Sequence, residues 1–411
     1  MFDGIGADRV LFDTFRPSRD EHIMSSIVHL GRHALASFAI VVLSLLTACG
    51  SVRPAIDVAS LPTQAGASEN IATYHARFGR SRPVIAVVGD NHGTELTDFM
   101  VPYGVLSESG VAEVVAVSTQ SGPMKTFTDL GQPAFRIVAQ ATLAEFDVHH
   151  PDGADYVVVP AQNAAPELLR WLAEQTHKGG VLVSICNGAM VVAETGVMAG
   201  RHATAHWSTE SHRLQTQGSI HWVKNVRYVS DGNWISSAGV SASIPTSLAL
   251  VEAIAGHQRA AMLAETIGAS PWTARHNSDA FHPHIATTGL PLAKVVYTNR
   301  WFHGKEELGI LAPPGVDEAS LALTVDAFSS TGRSHAYLVP SAEMPLRTRH
   351  GLTLLPEHEN QDPVGAKQKV VLPVATPAGK ALDIALAGIA QRYGRTTASG
   401  VAIVLEYPDF N

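Results

Sequence analysis

Cysteine is nearly absent: Cys49 and Cys186 are the only two in 411 residues. That excludes a disulfide framework and a cysteine-rich zinc site. Charge is also scarce, with 16% charged residues against 45% hydrophobic ones. This balance fits a well-packed chain and excludes a disordered one. The net charge is -8 and no basic cluster occurs, so a nucleic-acid partner has no electrostatic footprint. Histidine, by contrast, is plentiful at 20 residues. His149-His150 and His282-Pro283-His284 lack the spacing of a helical zinc motif, so neither metal nor cofactor is expected.

The apolar runs are short as well. The uncharged apolar run Ala34 to Ala48 is about 15 residues, where a membrane span needs roughly 20. That length suits the hydrophobic region of a signal peptide. Arg32 and His33 precede it and Leu46-Thr47-Ala48-Cys49 closes it, a pattern that resembles a bacterial lipobox with Cys49 as the lipidated residue. The expectation is a membrane-anchored, extracytoplasmic protein held by lipid on Cys49; an uncleaved N-terminal helix is the alternative anchor. Met24 would then serve as the start. Residues 1–49 are read as extension and signal peptide or anchor, and the polar stretch 50–82 as a tether.

From Pro83 onwards strands and helices alternate. Val84 to Val88, Glu113 to Ser118, Asp155 to Pro160 and Val181 to Ile185 read as strands. Thr94 to about Ser109 and Pro166 to His177 read as helices, the latter with proline in its first turn. Near-continuous β-branched runs between helices point to an α/β fold, a parallel sheet sandwiched by helices. Sites on such sheets lie at the carboxyl ends of the strands. Cys186 falls there, at the end of Val181-Leu-Val-Ser-Ile185 and directly before Asn187, Gly188 and a helix-like segment. This strand–nucleophile–helix elbow is expected to expose the sulfur at a helix N-terminus and favour its thiolate.

The segment Ile185-Cys-Asn-Gly-Ala-Met through Thr204-Ala-His206-Trp207, with Gly93-Thr-Glu-Leu-Thr-Asp98-Phe-Met-Val-Pro102, resembles the DJ-1/PfpI superfamily. The likeness covers roughly residues 83–270 and is closest to isonitrile hydratases and the sensory domains of AraC-like regulators. It implies the class I glutamine amidotransferase-like fold, flavodoxin-like in outline. It also implies that Cys186 is the reactive cysteine and that Asp98 is the acid beside its sulfur. Read alone, Asp98 would be a first-turn helix acid. His206 is a candidate general base, or else half of a packed His–Trp pair. Backbone amides at Ala161, Asn187 and Gly188 are the candidate oxyanion and pocket groups, and Ser237, Ser241 and Ser243 could line the pocket. Two departures shape the expectation. Ala161-Gln162 follows Pro160 where the superfamily has Gly-Gly. Asn187 stands where the proteases have histidine and the hydratases threonine, which removes a protease-type Cys–His pair.

Residues 83–272 are thus read as the DJ-1/PfpI-like domain, 273–305 as a linker and 306–411 as a second, truncated α/β repeat. In that repeat Leu308 to Ala312 parallels the first strand, and Ser320 falls where Asp98 stands. Lys369 onwards resembles the closing strand and helix, and the elbow is missing. The repeat could pair with the first domain within one chain, as a homodimer partner would. Two functions follow. One is a cysteine-dependent hydratase or hydrolase acting on a small molecule through Cys186 and Asp98. The other is a non-catalytic redox or small-ligand sensor using Cys186.

Overall fold

The computed structural model describes residues 70–269, 272–284, 287–340, 345–357, 368–373, 375–408 and 410. Cys49 and the apolar run before it lie outside them. Among the described residues no helix is long and apolar enough to cross a membrane.

Seven strands form the central sheet, in the order Tyr228–Asp231, Trp234–Ser237, Val181–Ser184, Tyr156–Val159, Val84–Gly89, Glu113–Ser118, Ala141–Thr142. Every neighbouring pair is parallel except the first, where Tyr228–Asp231 runs antiparallel to Trp234–Ser237. The parallel sheet expected from the β-branched runs is therefore a mixed one. The hairpin edge arises because Asp231-Gly232-Asn233-Trp234 is a tight turn, with Gly232 at φ 62. Both faces are covered. Ile85 and Val87 point into one core and Val84, Ala86 and Val88 into the other, the period-two alternation of a strand buried on both sides.

The helix Leu96–Ser109 is buried along almost its whole length, including Thr97, Asp98 and Gly104. A helix covered all round must pack on two sides. One side is the sheet; the other is the helix Glu318–Ser329 from the second half. At the closest approach a Cβ on Gly104 would lie 3.1 Å from Glu318 Cβ. The two helices are built alike: Glu95 accepts from the Asp98 amide at 2.6 Å, and Asp317 accepts from the Ser320 amide at 2.8 Å.

The second half repeats this arrangement. Glu306–Ala312 is flanked in parallel by Ser334–Pro340 and Gln368–Val371, as Val84–Gly89 is by Glu113–Ser118 and Tyr156–Val159. The closing helix pairs also match. Ser243–Ala255 turns into His257–Thr266 at Gly256 (φ 84, ψ 164), and Ala381–Tyr393 turns into Arg395–Val404 at Gly394 (φ 87, ψ 153). The first half carries its elbow between the last parallel strand and this helix pair; among the described residues the second half has no such element between Val371 and Ala381. A further sheet joins the halves, with Thr353–Leu355 pairing antiparallel to Pro133–Val138. The stretch read as a linker carries buried groups, among them His276, Phe281, Val295 and Asn299.

Candidate active site

The elbow is built by backbone contacts. Val181–Ser184 delivers Ile185, whose amide donates to the Val159 carbonyl at 3.0 Å, and the helix Gly188–Glu194 begins two residues after Cys186. Cys186 itself sits at φ 54, in the left-handed region that a side chain rarely occupies. Its amide donates to Ser237 Oγ at 3.3 Å. Gly188 passes so close to the neighbouring strand end that a Cβ there would collide with the Val159 carbonyl oxygen and the Pro160 backbone. The substitution Gly188→Ala is expected to cost about 3 kcal/mol or more by overpacking and to displace Cys186. Thermal melting together with thiol titration checks both effects.

The expectation of an exposed thiolate is corrected. Cys186 is 1% exposed. Burial raises its pKa well above the usual thiol value. The charges of Asp98, Asp129 and Glu95 push the same way, against one hydrogen bond from the Asn187 amide. A seven-residue helix with one amide on the sulfur does not offset burial among carboxyl groups.

Asp98 is fully buried. Its Oδ2 accepts from the Ala161 amide at 3.0 Å, and its carboxyl shares a side-chain hydrogen bond with Glu95. Burial, then the charge of Glu95, raises its carboxyl well above the ordinary value, which favours the protonated form. Glu95 is pushed up to about 7, mainly by burial. The Ala161 amide is thus committed to Asp98 rather than free for an oxyanion. Asn187 turns its side chain away, its Oδ1 accepting from Thr209 at 2.8 Å.

His206 is also buried. Nε2 donates to the Val404 carbonyl at 3.0 Å and Nδ1 lies 2.7 Å from Ser208 Oγ. Its ring packs 5.3 Å from Trp207, and burial lowers its pKa. With both nitrogens held, it fits the packed role better than that of a general base. Ser241 Oγ donates to the Glu406 carbonyl, and Ser243 Oγ is buried without a partner.

Several acids of the site came without a sequence signal. Asp129 lies on the turn between Met124–Phe127 and Pro133–Val138, with a carboxyl oxygen within 4.8 Å of both the Cys186 sulfur and a ring nitrogen of His206. Asp326, on the second half's helix, accepts from the Asp129 amide at 3.1 Å through Oδ1; its Oδ2 is unpartnered. Glu406 accepts from the Gly239 amide at 2.6 Å and from His276 Nε2 at 2.9 Å. Burial would raise Glu406; the hydrogen bond and charge of His276 and the charge of His206 outweigh that and bring it down to about 2. The C-terminal half thus holds two neighbours of the site from behind, Asp129 through Asp326 and His206 through the Val404 carbonyl.

Asp326 behaves oppositely, raised well above its ordinary value by burial and by Glu95. A raised carboxyl carries no penalty at low pH and destabilises the folded state as pH climbs through its folded value. Asp326→Asn is therefore expected to raise the melting temperature at mildly alkaline pH by a few degrees, about 1 kcal/mol, with the gain shrinking towards pH 3.8, the ordinary aspartate value. Melting curves across pH check it.

Residues 84–253 match the DJ-1/PfpI family model, and this part of the chain is a DJ-1/PfpI family domain. The chain is 32% identical over 106 residues to the HTH-type transcriptional regulator CdhR of Pseudomonas aeruginosa, covering 26% of this chain and 31% of the regulator. It is 32% identical over 90 residues to isonitrile hydratase of Pseudomonas putida, covering 22% of this chain and 38% of the hydratase. The match to protein dj-1beta of Drosophila melanogaster is 28% over 177 residues, 41% of this chain and 87% of that protein. Thus the chain spans well under half the length of the regulator and the hydratase. Among solved structures, Drosophila melanogaster DJ-1beta superposes with a TM-score of 0.40 at 22% identity, over 46% of this chain and 99% of that one.

Proposed function

We propose that Cys186 is the reactive centre of a cysteine-dependent hydratase or hydrolase for a small molecule, with Asp98 as its proton carrier. The observation that carries this reading is a left-handed, enclosed Cys186 whose strongest charged neighbour, Asp98, is a fully buried carboxyl with a raised pKa. In the reaction the sulfur adds to an electrophilic carbon and the S–C bond forms. The thiol proton passes through Asp98 to the atom that receives the displaced electron pair, and water then replaces the sulfur on carbon. The 1% exposure of Cys186 favours a small substrate. A hydratase among the relatives supports this class of reaction.

A second reading, a redox or small-ligand sensor, is favoured by one specific observation: the Ala161 amide and both His206 nitrogens, which acyl transfer would need, are already engaged. Under that reading a peroxide transfers oxygen to the sulfur and leaves as water. The proposal extends to the setting. The Ala34–Ala48 run and Cys49 support a lipid tether outside the cytoplasm, and the helix packing between the halves supports the second half as a built-in partner. A screen of small electrophiles with wild type and Cys186→Ser tests the central reading. Turnover confined to wild type is expected, and full turnover by the serine variant sinks the assignment.

A further inference from the structure

Four of the ten large apolar side chains exposed among the described residues stand on one short stretch: Leu290, Tyr297, Trp301 and Phe302, between 55% and 80% exposed. The stretch is a single helical run, Gly289–Ala293, Lys294–Thr298 and Asn299–Phe302, with a π-helical turn in its middle. Its inner side is fixed. Leu292, Val295 and Asn299, spaced as one helix face, are buried. The run packs on the helix Arg395–Val404, so closely that a Cβ on Gly400 would lie 2.7 Å from Val295 Cγ1. Asn299 Nδ2 donates to the Thr331 carbonyl at 2.7 Å. Leu290, Tyr297 and Trp301 are left on the outer side, where they add nothing to the core. Exposed apolar groups clustered in this way mark a contact surface.

The charge around them has one sign. From Ala280 to Lys305 the sequence holds no Asp or Glu, yet it holds Lys294, Arg300 and Lys305, in a chain of net charge -8. Arg300 and Lys305 reach neutral groups, the Leu130 carbonyl at 3.4 Å and Gln132 Oε1 at 2.9 Å. The next acids along the chain are engaged elsewhere, Glu306 by Arg333 and Arg392 and Glu307 by His335. Tryptophan and tyrosine beside lysine and arginine fit the boundary of an anionic bilayer. The rings enter the headgroup region and the cations meet lipid phosphates. A second copy of this face fits worse, because a two-fold contact sets the same cations against each other.

We infer that the outer side of this helical run, with Lys294, Arg300 and Lys305, docks the folded body on an anionic lipid surface. This goes beyond the tether proposed at Cys49 and does not depend on it. A lipid on Cys49 holds the chain near a bilayer; this face sets how the body lies on it.

Trp301 reports the contact directly. Of the six tryptophans it is the exposed one; Trp171 and Trp234 are buried, and Trp207, Trp222 and Trp272 are half-buried. The full chain is mixed with vesicles of equal parts phosphatidylcholine and phosphatidylglycerol carrying brominated acyl chains, and tryptophan emission is read. Quenching is expected in wild type. It should vanish in Trp301→Phe, which keeps an aromatic ring at the boundary. The triple variant Lys294→Gln, Arg300→Gln, Lys305→Gln should lose most of the quenching at the same lipid concentration, as should wild type at high salt. Emission unchanged by the brominated vesicles, quenching that persists in Trp301→Phe, or equal quenching in the triple variant overturns the inference. So does a dimer that shields Trp301 from acrylamide. Vesicle flotation judges the tether separately: a chain that floats with Trp301 unquenched keeps the tether and loses this face, whereas equal quenching in Cys49→Ser keeps the face whatever becomes of the tether.

Discussion

Replacing Asp98 with asparagine is expected to leave the fold standing and to slow Cys186-dependent turnover about 100-fold to 10,000-fold, the usual size of a general acid–base contribution. Asparagine is close in shape and keeps an oxygen for the Ala161 amide, which now lies 3.0 Å from Oδ2. It loses the exchangeable acid proton. Burial and Glu95 raise the wild-type carboxyl well above its ordinary value and favour its protonated form, so the variant removes the proton carrier while adding little new electrostatics. The thiol pKa is raised by burial first and by its acidic neighbours second. Alkylation of wild type should therefore keep accelerating as pH passes the ordinary thiol value of 9.0. Slowed turnover with unchanged melting is the expected pairing. A variant with wild-type turnover would reduce Asp98 to a cap on the Ala161 amide.

Glu406→Gln is expected to be the most destabilising side-chain change in the second half, at about 3–5 kcal/mol for breaking a buried, fully bonded charge. Both carboxylate oxygens accept from donors, the Gly239 amide and His276 Nε2, so an amide NH2 must face one of them. The residue also holds φ 55 at the end of the last helix, and the Ser241 amide donates to the preceding carbonyl of Leu405 at 3.2 Å. Losing this anchor loosens Val404, whose carbonyl fixes His206. The pH dependence follows from the lowered pKa. A carboxyl at about 2 when folded and 4.5 when unfolded stabilises the fold above 4.5 and loses that contribution as pH falls towards 2. The gap between wild type and variant should close over that range in denaturant titrations. A gap unchanged by pH would mean that shape, not charge, holds the segment.

The sequence carried the fold where the signal is local. β-branched runs and the proline at the start of Pro166–His177 place the parallel strands and their helices. Cys186 was legible because an apolar strand, a glycine and a helix meet there. Its environment was not. Exposure of the sulfur was expected from the helix start alone, whereas the carboxyls that surround it come from far along the chain. Asp326 sits on a helix that reads as wholly apolar in its spacing, and Glu406 lies beyond the last element. Asp129 lies in a hairpin whose flanking strands are short, alternating and polar enough to pass for loop. The role of His206 turned on Val404, 198 residues away. Partners at such separations leave no trace in spacing or periodicity.

The central claim is that Cys186 reacts covalently with small electrophiles under the control of Asp98. The most direct measurement is intact mass and peptide mapping of the reduced full chain after exposure to a limiting small electrophile, for wild type, Asp98→Asn and Cys186→Ser. The account predicts a single adduct on the Cys186 peptide of wild type, formed far more slowly in Asp98→Asn and absent in Cys186→Ser. An unmodified Cys186 in folded wild type, or labelling at the same rate in Asp98→Asn, would contradict it.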